Sequence, residues 1–98
     1  MKVLWTDAAI AQLEAIHDYV AQTSPEYARR IIDRLTKRST QIAAFPFSGR
    51  MVREYELNEV REVIEVSYRI IYLIKEDEDQ VEVLAVIHSS REGLNPLG

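Results

Sequence analysis

The hydrophobic pattern of this chain changes period once, at Phe45-Pro46-Phe47-Ser48-Gly49, and that single change constrains the fold more than any other feature. Before it, apolar residues recur at helical spacing. After it, they run in short β-branched and aromatic stretches. Helices gathered in one half and strands in the other do not make an alternating β-α-β chain. They make helices packed on an antiparallel sheet, a two-layer α+β domain. With 98 residues there is room for one domain and a small core. We delimit it as residues 1–91, followed by a polar tail over 92–98.

Lys2 to Trp5 reads as a short N-terminal strand. Thr6 is a good N-cap, and Asp7 suits the positive end of a helix dipole. Ile10, Leu13, Ile16, His17 and Val20 share one face of a helix predicted to end near Gln22. Ser24 and Pro25 cap and open a second helix, whose apolar face carries Ala28, Ile31, Ile32, Leu35, Ser39 and Ile42. Pro46 and Gly49 end that pattern. Trp5, Tyr19, Phe45 and Phe47 are read as core or hairpin-packing residues.

Beyond Gly49, strands are predicted around Arg50 to Leu57, Val60 to Val66, Tyr68 to Ile74 and Gln80 to His88, with Glu76-Asp77-Glu78-Asp79 as an acidic turn. Short connections imply an antiparallel meander of three or four strands. Strict alternation puts Tyr68, Ile70 and Tyr72 on one face and Ile71 and Leu73 on the other. It likewise sets Leu84 and Val86 opposite Val83 and Ala85. Both faces of these strands are therefore apolar, and two helices cover only one. The second face is expected to meet a partner, with sheet curvature and the tail as the alternative cover.

The formal net charge is -4. Residues 1–50 carry seven Lys/Arg and five Asp/Glu, whereas 51–98 carry five and eleven, so the halves are +2 and -6. A generally acidic chain is a poor non-specific binder of nucleic acid. With no cysteine, disulfide, thiolate-metal and cysteine-nucleophile chemistry are excluded. No apolar run approaches the ~18 residues of a membrane span, and the first residues do not read as a signal peptide. A cytoplasmic protein is expected. Neither histidine has metal-ligand spacing, and no cofactor is implied.

Four segments carry a resemblance to a known family. Leu4-Trp5-Thr6-Asp7 with Ala9, followed by Leu13, Ile16 and Tyr19-Val20, is similar to the start of the RelE/ParE toxin superfamily. Phe45-Pro46 with Gly49-Arg50, Val52 and Glu54 resembles its middle segment. Tyr68-Arg69-Ile70-Ile71-Tyr72 resembles its core strand, and Val86-Ile87-His88-Ser89-Ser90-Arg91 its close. The likeness runs from about Lys2 to Arg91 and is nearer to ParE than to RelE. It implies a helical hairpin on a small, mostly antiparallel sheet. It also implies the toxin of a type II toxin–antitoxin module, held in a hetero-oligomer by a ParD-like or other small antitoxin. ParE-like members are associated with poisoning DNA gyrase, the first expectation for this chain. RelE-like members cut mRNA on the ribosome, which is the alternative. A degenerate toxin that only binds antitoxin is the third.

Metal-free RNA cleavage needs a base, an acid and a cation for the phosphate. By resemblance these positions fall on Arg69, His88 and Glu54. Ser89 replaces the tyrosine of that pattern, and the RelE lysine cluster has no counterpart. Arg69 has a second reading, because an arginine inside an apolar strand calls for a partner, with Glu54, Glu62 and Glu65 as candidates. His88 equally suits a structural role. Arg30, Arg34, Lys37 and Arg38 form a basic stripe on the second helix, either a solvated face or a docking site for an acidic partner. Tyr72, Leu84, Val86 and Arg91 complete the residues expected at a partner surface.

Overall fold

The computed structural model describes residues 1–90. β1 (Lys2–Trp5) leads into α1 (Asp7–Ala21) and α2 (Pro25–Ala44), a 3₁₀ turn at Pro46–Ser48, β2 (Arg50–Met51), β3 (Val60–Glu65) and β4 (Tyr68–Lys75). A second 3₁₀ turn, Glu76–Glu78, precedes β5 (Gln80–His88). The sheet order is β1-β5-β4-β3-β2. β2 through β5 form the expected antiparallel meander. β1 joins it in parallel on the far side of β5, so the sheet is mixed.

Both helices start at the caps their sequences supply. Thr6 Oγ1 accepts from the Ala9 N–H, and Ser24 Oγ from that of Tyr27. Thr6 also ties α1 to the sheet, its hydroxyl donating to the Val83 carbonyl at 2.8 Å. This cap sets the rotation of α1. Ala9 is buried, and Leu13, Ile16 and Val20 pack against the core. Ile10 is 42% exposed, and His17 turns outward beside Asp18. Both were expected on the core face. α2 buries Ala28, Ile31, Leu35 and Ile42 as its spacing requires.

Against the helices the sheet places Val63, Ile70, Tyr72, Ile74, Val81, Val83 and Val86. On the outer face, Val52, Val60, Ile71, Ala85 and Ile87 form a second, smaller core, with Tyr55 and Leu73 packed on it. The β4 faces are those the alternation predicts. Those of β5 are not. Ile71 pairs with Ala85 but Tyr72 with Val83, so Leu84 is a bulged extra residue. The bulge inverts the alternation. Val83 and Val86 both face the helices, while Ala85 and Ile87 face outward.

Candidate functional site

The outer face ends in a charged groove of about 480 Å³ lined by Arg50, Met51, Arg53, Glu54, Glu62, Arg69 and Ser89. Its centre is Arg69, 6% exposed, on β4. Its Nε donates to Glu62 Oε1 at 2.6 Å. Nη1 and Nη2 both reach the Glu54 carboxylate at 3.1 Å. Glu62, 4% exposed, accepts a further bond from Arg50 Nε at 2.7 Å. This is a forked, charge-assisted network at the end of an apolar sheet face. Arg69 holds the Glu54 carboxyl below its ordinary value. The Glu54 hydrogen bond in turn holds the guanidinium further above its own, against the opposing effect of burial. Of the three candidate partners, Glu54 and Glu62 are used. Glu65 points to the helix side, where it accepts from Arg34 and Arg38 at 2.8 Å each. Burial raises the Glu65 carboxyl, but the two guanidiniums win and leave it lowered.

His88 is not in this groove. In the β4–β5 register Arg69 faces Ile87 and Tyr68 faces His88, so Arg69 and His88 emerge on opposite faces of the sheet. The His88 ring meets Tyr68 edge-on at 5.5 Å. Its Nδ1 accepts the Ser90 backbone N–H at 3.2 Å, which leaves the ring proton of a neutral imidazole on Nε2. The Ser90 hydroxyl lies 2.7 Å from the same nitrogen. His88 lines a different groove, of about 620 Å³, with Gln12, Ile16, Tyr19, Tyr68 and Val86. Gln12 accepts the Val86 backbone N–H there at 2.7 Å. Burial raises the Tyr68 phenol, with smaller contributions from Tyr27 and Tyr19. Arg69 and Glu54 are thus brought together, and His88 is kept apart.

The basic stripe is divided. Arg34 and Arg38 bind Glu65, whereas Arg30 lies over the Tyr27 ring at 5.9 Å and Lys37 is exposed. Two residues expected at a partner surface are core instead. Tyr72 is fully buried, its hydroxyl donating to the Pro46 carbonyl at 2.6 Å, and Val86 is 2% exposed under α1. Both follow from the side of the sheet they occupy. Leu84 is half-buried at the bulge, and Arg91 lies outside the described residues. The sequence reading offered Glu62 as a partner of Arg69 but did not bring Arg50 into the same site. Only the β2–β3 register, which pairs Arg50 with Glu62, supplies that link. Among the described residues no group of three His, Cys, Asp or Glu side chains could hold a metal ion, and no helix is long and apolar enough to cross a membrane.

The fold is that of the ParE/RelE toxins. The toxin–antitoxin structure described as the chromosomal ParDE system of P. aeruginosa contains a chain that superposes with a TM-score of 0.71 at 23% identity, over 90% of this chain and 95% of that one. A chain of the Mycobacterium tuberculosis RelBE2 toxin–antitoxin complex superposes at 0.65 and 22% identity, over 89% and 95%. The family model of the ParE toxin of type II toxin–antitoxin system parDE matches residues 3–93, so the chain belongs to that family. Toxin RelE2 of Caulobacter vibrioides is 33% identical, covering 92% of this chain and 97% of that one. Y4kP of Sinorhizobium fredii, described as a candidate toxin, is 30% identical over 93% and 91%.

Proposed function

We propose that this toxin is ParE-like in action. It binds a protein target in the cytoplasm, DNA gyrase, and is neutralised in a hetero-oligomer with a ParD-like antitoxin. The observation that carries this reading is the state of Arg69. A guanidinium serving a scissile phosphate must be free to exchange ligands, yet this one is buried and held by two carboxylates. His88, the acid or base of the nuclease pattern, opens on the other face of the sheet. A binding toxin needs neither group free. Its groove can use Arg50 and Arg53 at the rim as contacts for a protein surface.

Induced expression of the toxin alone tests this. Filamentation with DNA-damage signalling is the expected result, together with inhibition of purified gyrase. Rapid translation arrest with in-frame mRNA cuts would replace this reading by the ribosome-dependent endoribonuclease. Unaffected growth would point to a degenerate toxin that retains only antitoxin binding.

A further inference from the structure

The turn between α2 and β2 is built against the usual logic of a surface loop. Phe45 is 66% exposed, Phe47 37% and Met51 46%, three large apolar side chains within seven residues. A mobile loop could tolerate this, but here the backbone is fixed from three sides. Tyr72, from the core, donates to the Pro46 carbonyl. Arg61 on β3 donates from Nη1 to the carbonyls of Phe47 at 3.0 Å and Gly49 at 2.9 Å. Gly49 itself is buried, and a Cβ there would collide with the Tyr72 hydroxyl and the Glu62 carbonyl. The apolar side chains are thus presented on a rigid frame, which lowers the entropy cost of contacting a partner.

Arg61 supplies the second observation. Its guanidinium lies over the Phe47 ring, 5.2 Å from the centroid. Its remaining bonds go to the carbonyl and side-chain oxygens of Asn58, at 2.8 and 2.6 Å. All four acceptors are neutral. Arg34, Arg38, Arg50 and Arg69 each pair with a glutamate, whereas Arg61 forms no ion pair among the described residues. From Phe45 to Arg53 the chain contains two arginines and no acid. β2 is also an edge strand, hydrogen-bonded only to β3.

We infer that the edge formed by Phe45, Phe47, Met51 and Arg61 is a docking surface for an acidic, apolar segment of the antitoxin. A carboxylate of that segment meets Arg61, and its large apolar side chains cover Phe45 and Met51. The charge argues for the occupant, since a preorganised, uncompensated guanidinium on an aromatic ring is complementary to a carboxylate beside an apolar group. This rests on the toxin–antitoxin reading above and adds to it the place and chemistry of contact.

The test uses the toxin–antitoxin complex purified from co-expression with the antitoxin encoded beside the gene. Each complex is challenged with excess labelled wild-type toxin, and the exchange rate is measured at two salt concentrations. Arg61→Gln, Phe45→Glu and Met51→Glu should each speed exchange roughly ten- to a hundredfold. The salt dependence should be smaller in Arg61→Gln. Phe45→Glu and Met51→Glu matter because no hydrogen bond of the frame uses their side chains. Arg29→Gln, an exposed arginine of α2 outside the basic stripe, should exchange like the wild type. Wild-type exchange in Phe45→Glu and Met51→Glu overturns the inference, even if Arg61→Gln accelerates, because Arg61 would then be only a brace for the turn. A wild-type chain that captures no antitoxin overturns the toxin–antitoxin reading and this inference together.

Discussion

The two faces of the sheet are held by different physics. The inner face is an aliphatic layer under two amphipathic helices, with Leu35 and Ile42 of α2 and Ile70, Val81 and Val83 of the sheet almost wholly buried. Its stability is spread over many non-directional contacts. The outer face has a smaller core and ends in a buried network of Arg69, Glu62 and Glu54. There, stability depends on a few directional bonds whose loss strands a charge. One sheet thus has a face held by apolar burial and a face held by paired charge.

Arg69→Met tests this most severely. It leaves Glu62 and Glu54 facing an apolar side chain, and breaking a buried pair in this way costs about 3–5 kcal/mol. Chemical denaturation should show that loss, and adding Glu62→Leu should recover part of it, because the more deeply buried of the two carboxylates is then gone. Failure of the double mutant to recover would show that the network contributes geometry as well as charge. On the inner face, Leu35→Ala should cost roughly 2–5 kcal/mol through lost burial and an unfilled cavity. No compensating polar substitution should rescue it. That asymmetry between the faces is the measurable content of the comparison.

A pH titration sharpens it further. Glu54 and Glu65 are both held below the 4.5 of a free carboxyl. The unfolded chain therefore binds their protons more readily than the folded one. The stability they contribute is complete above that value and is lost as pH falls through the lower folded values. Thermal melts should show Tm dropping as the pH is lowered through about 4.5. The slope should be shallower in Glu54→Gln, whereas Leu35→Ala should lower Tm without changing it. The smallest effect is expected at His88. His88→Gln loses an edge contact with Tyr68 and a bond to Ser90, so its stability should stay within about 1 kcal/mol of wild type. Under the proposed binding mechanism its toxicity should persist. Lost toxicity in a folded variant that still binds antitoxin would favour the nuclease.

Much of the fold is legible from local chemistry. The caps at Thr6 and Ser24, the apolar stripe of α2, the break at Pro46 and the meander order all follow from spacing and residue type. Legibility fails where one residue changes the phase of a pattern. Leu84 looks like any strand residue, yet as a bulge it sends Ala85 and Val83 to opposite faces. Val66 and Glu56 take positive φ angles of 57° and 52°, which neither residue type signals. The site was half legible. That Arg69 needs a carboxylate follows from burying a charge. That it takes Glu62, while Glu65 serves Arg34 and Arg38, follows from the opposite sides of β3 on which those two stand, and Glu54 reaches it from the turn after β2. Phe45 and Phe47 read as core or hairpin-packing residues, yet the structure leaves them 66% and 37% exposed, with the Phe47 ring lying against the Arg61 guanidinium of β3.

The sequence by itself determined the two helices and where they stop, the strands β1, β3, β4 and β5 to within a residue (but not the two-residue β2, expected to run from Arg50 to Leu57), and that an arginine in the core strand requires acidic neighbours. These depend on interactions within a few residues, so local spacing carries them. Only the tertiary structure decided that β1 pairs in parallel with β5, that Arg69 and His88 open on opposite faces, and that Arg61 holds its charge with no carboxylate partner among the described residues. Those outcomes depend on register. A shift of one residue in register turns a side chain to the other face of the sheet, and register is set by contacts between residues far apart in the chain.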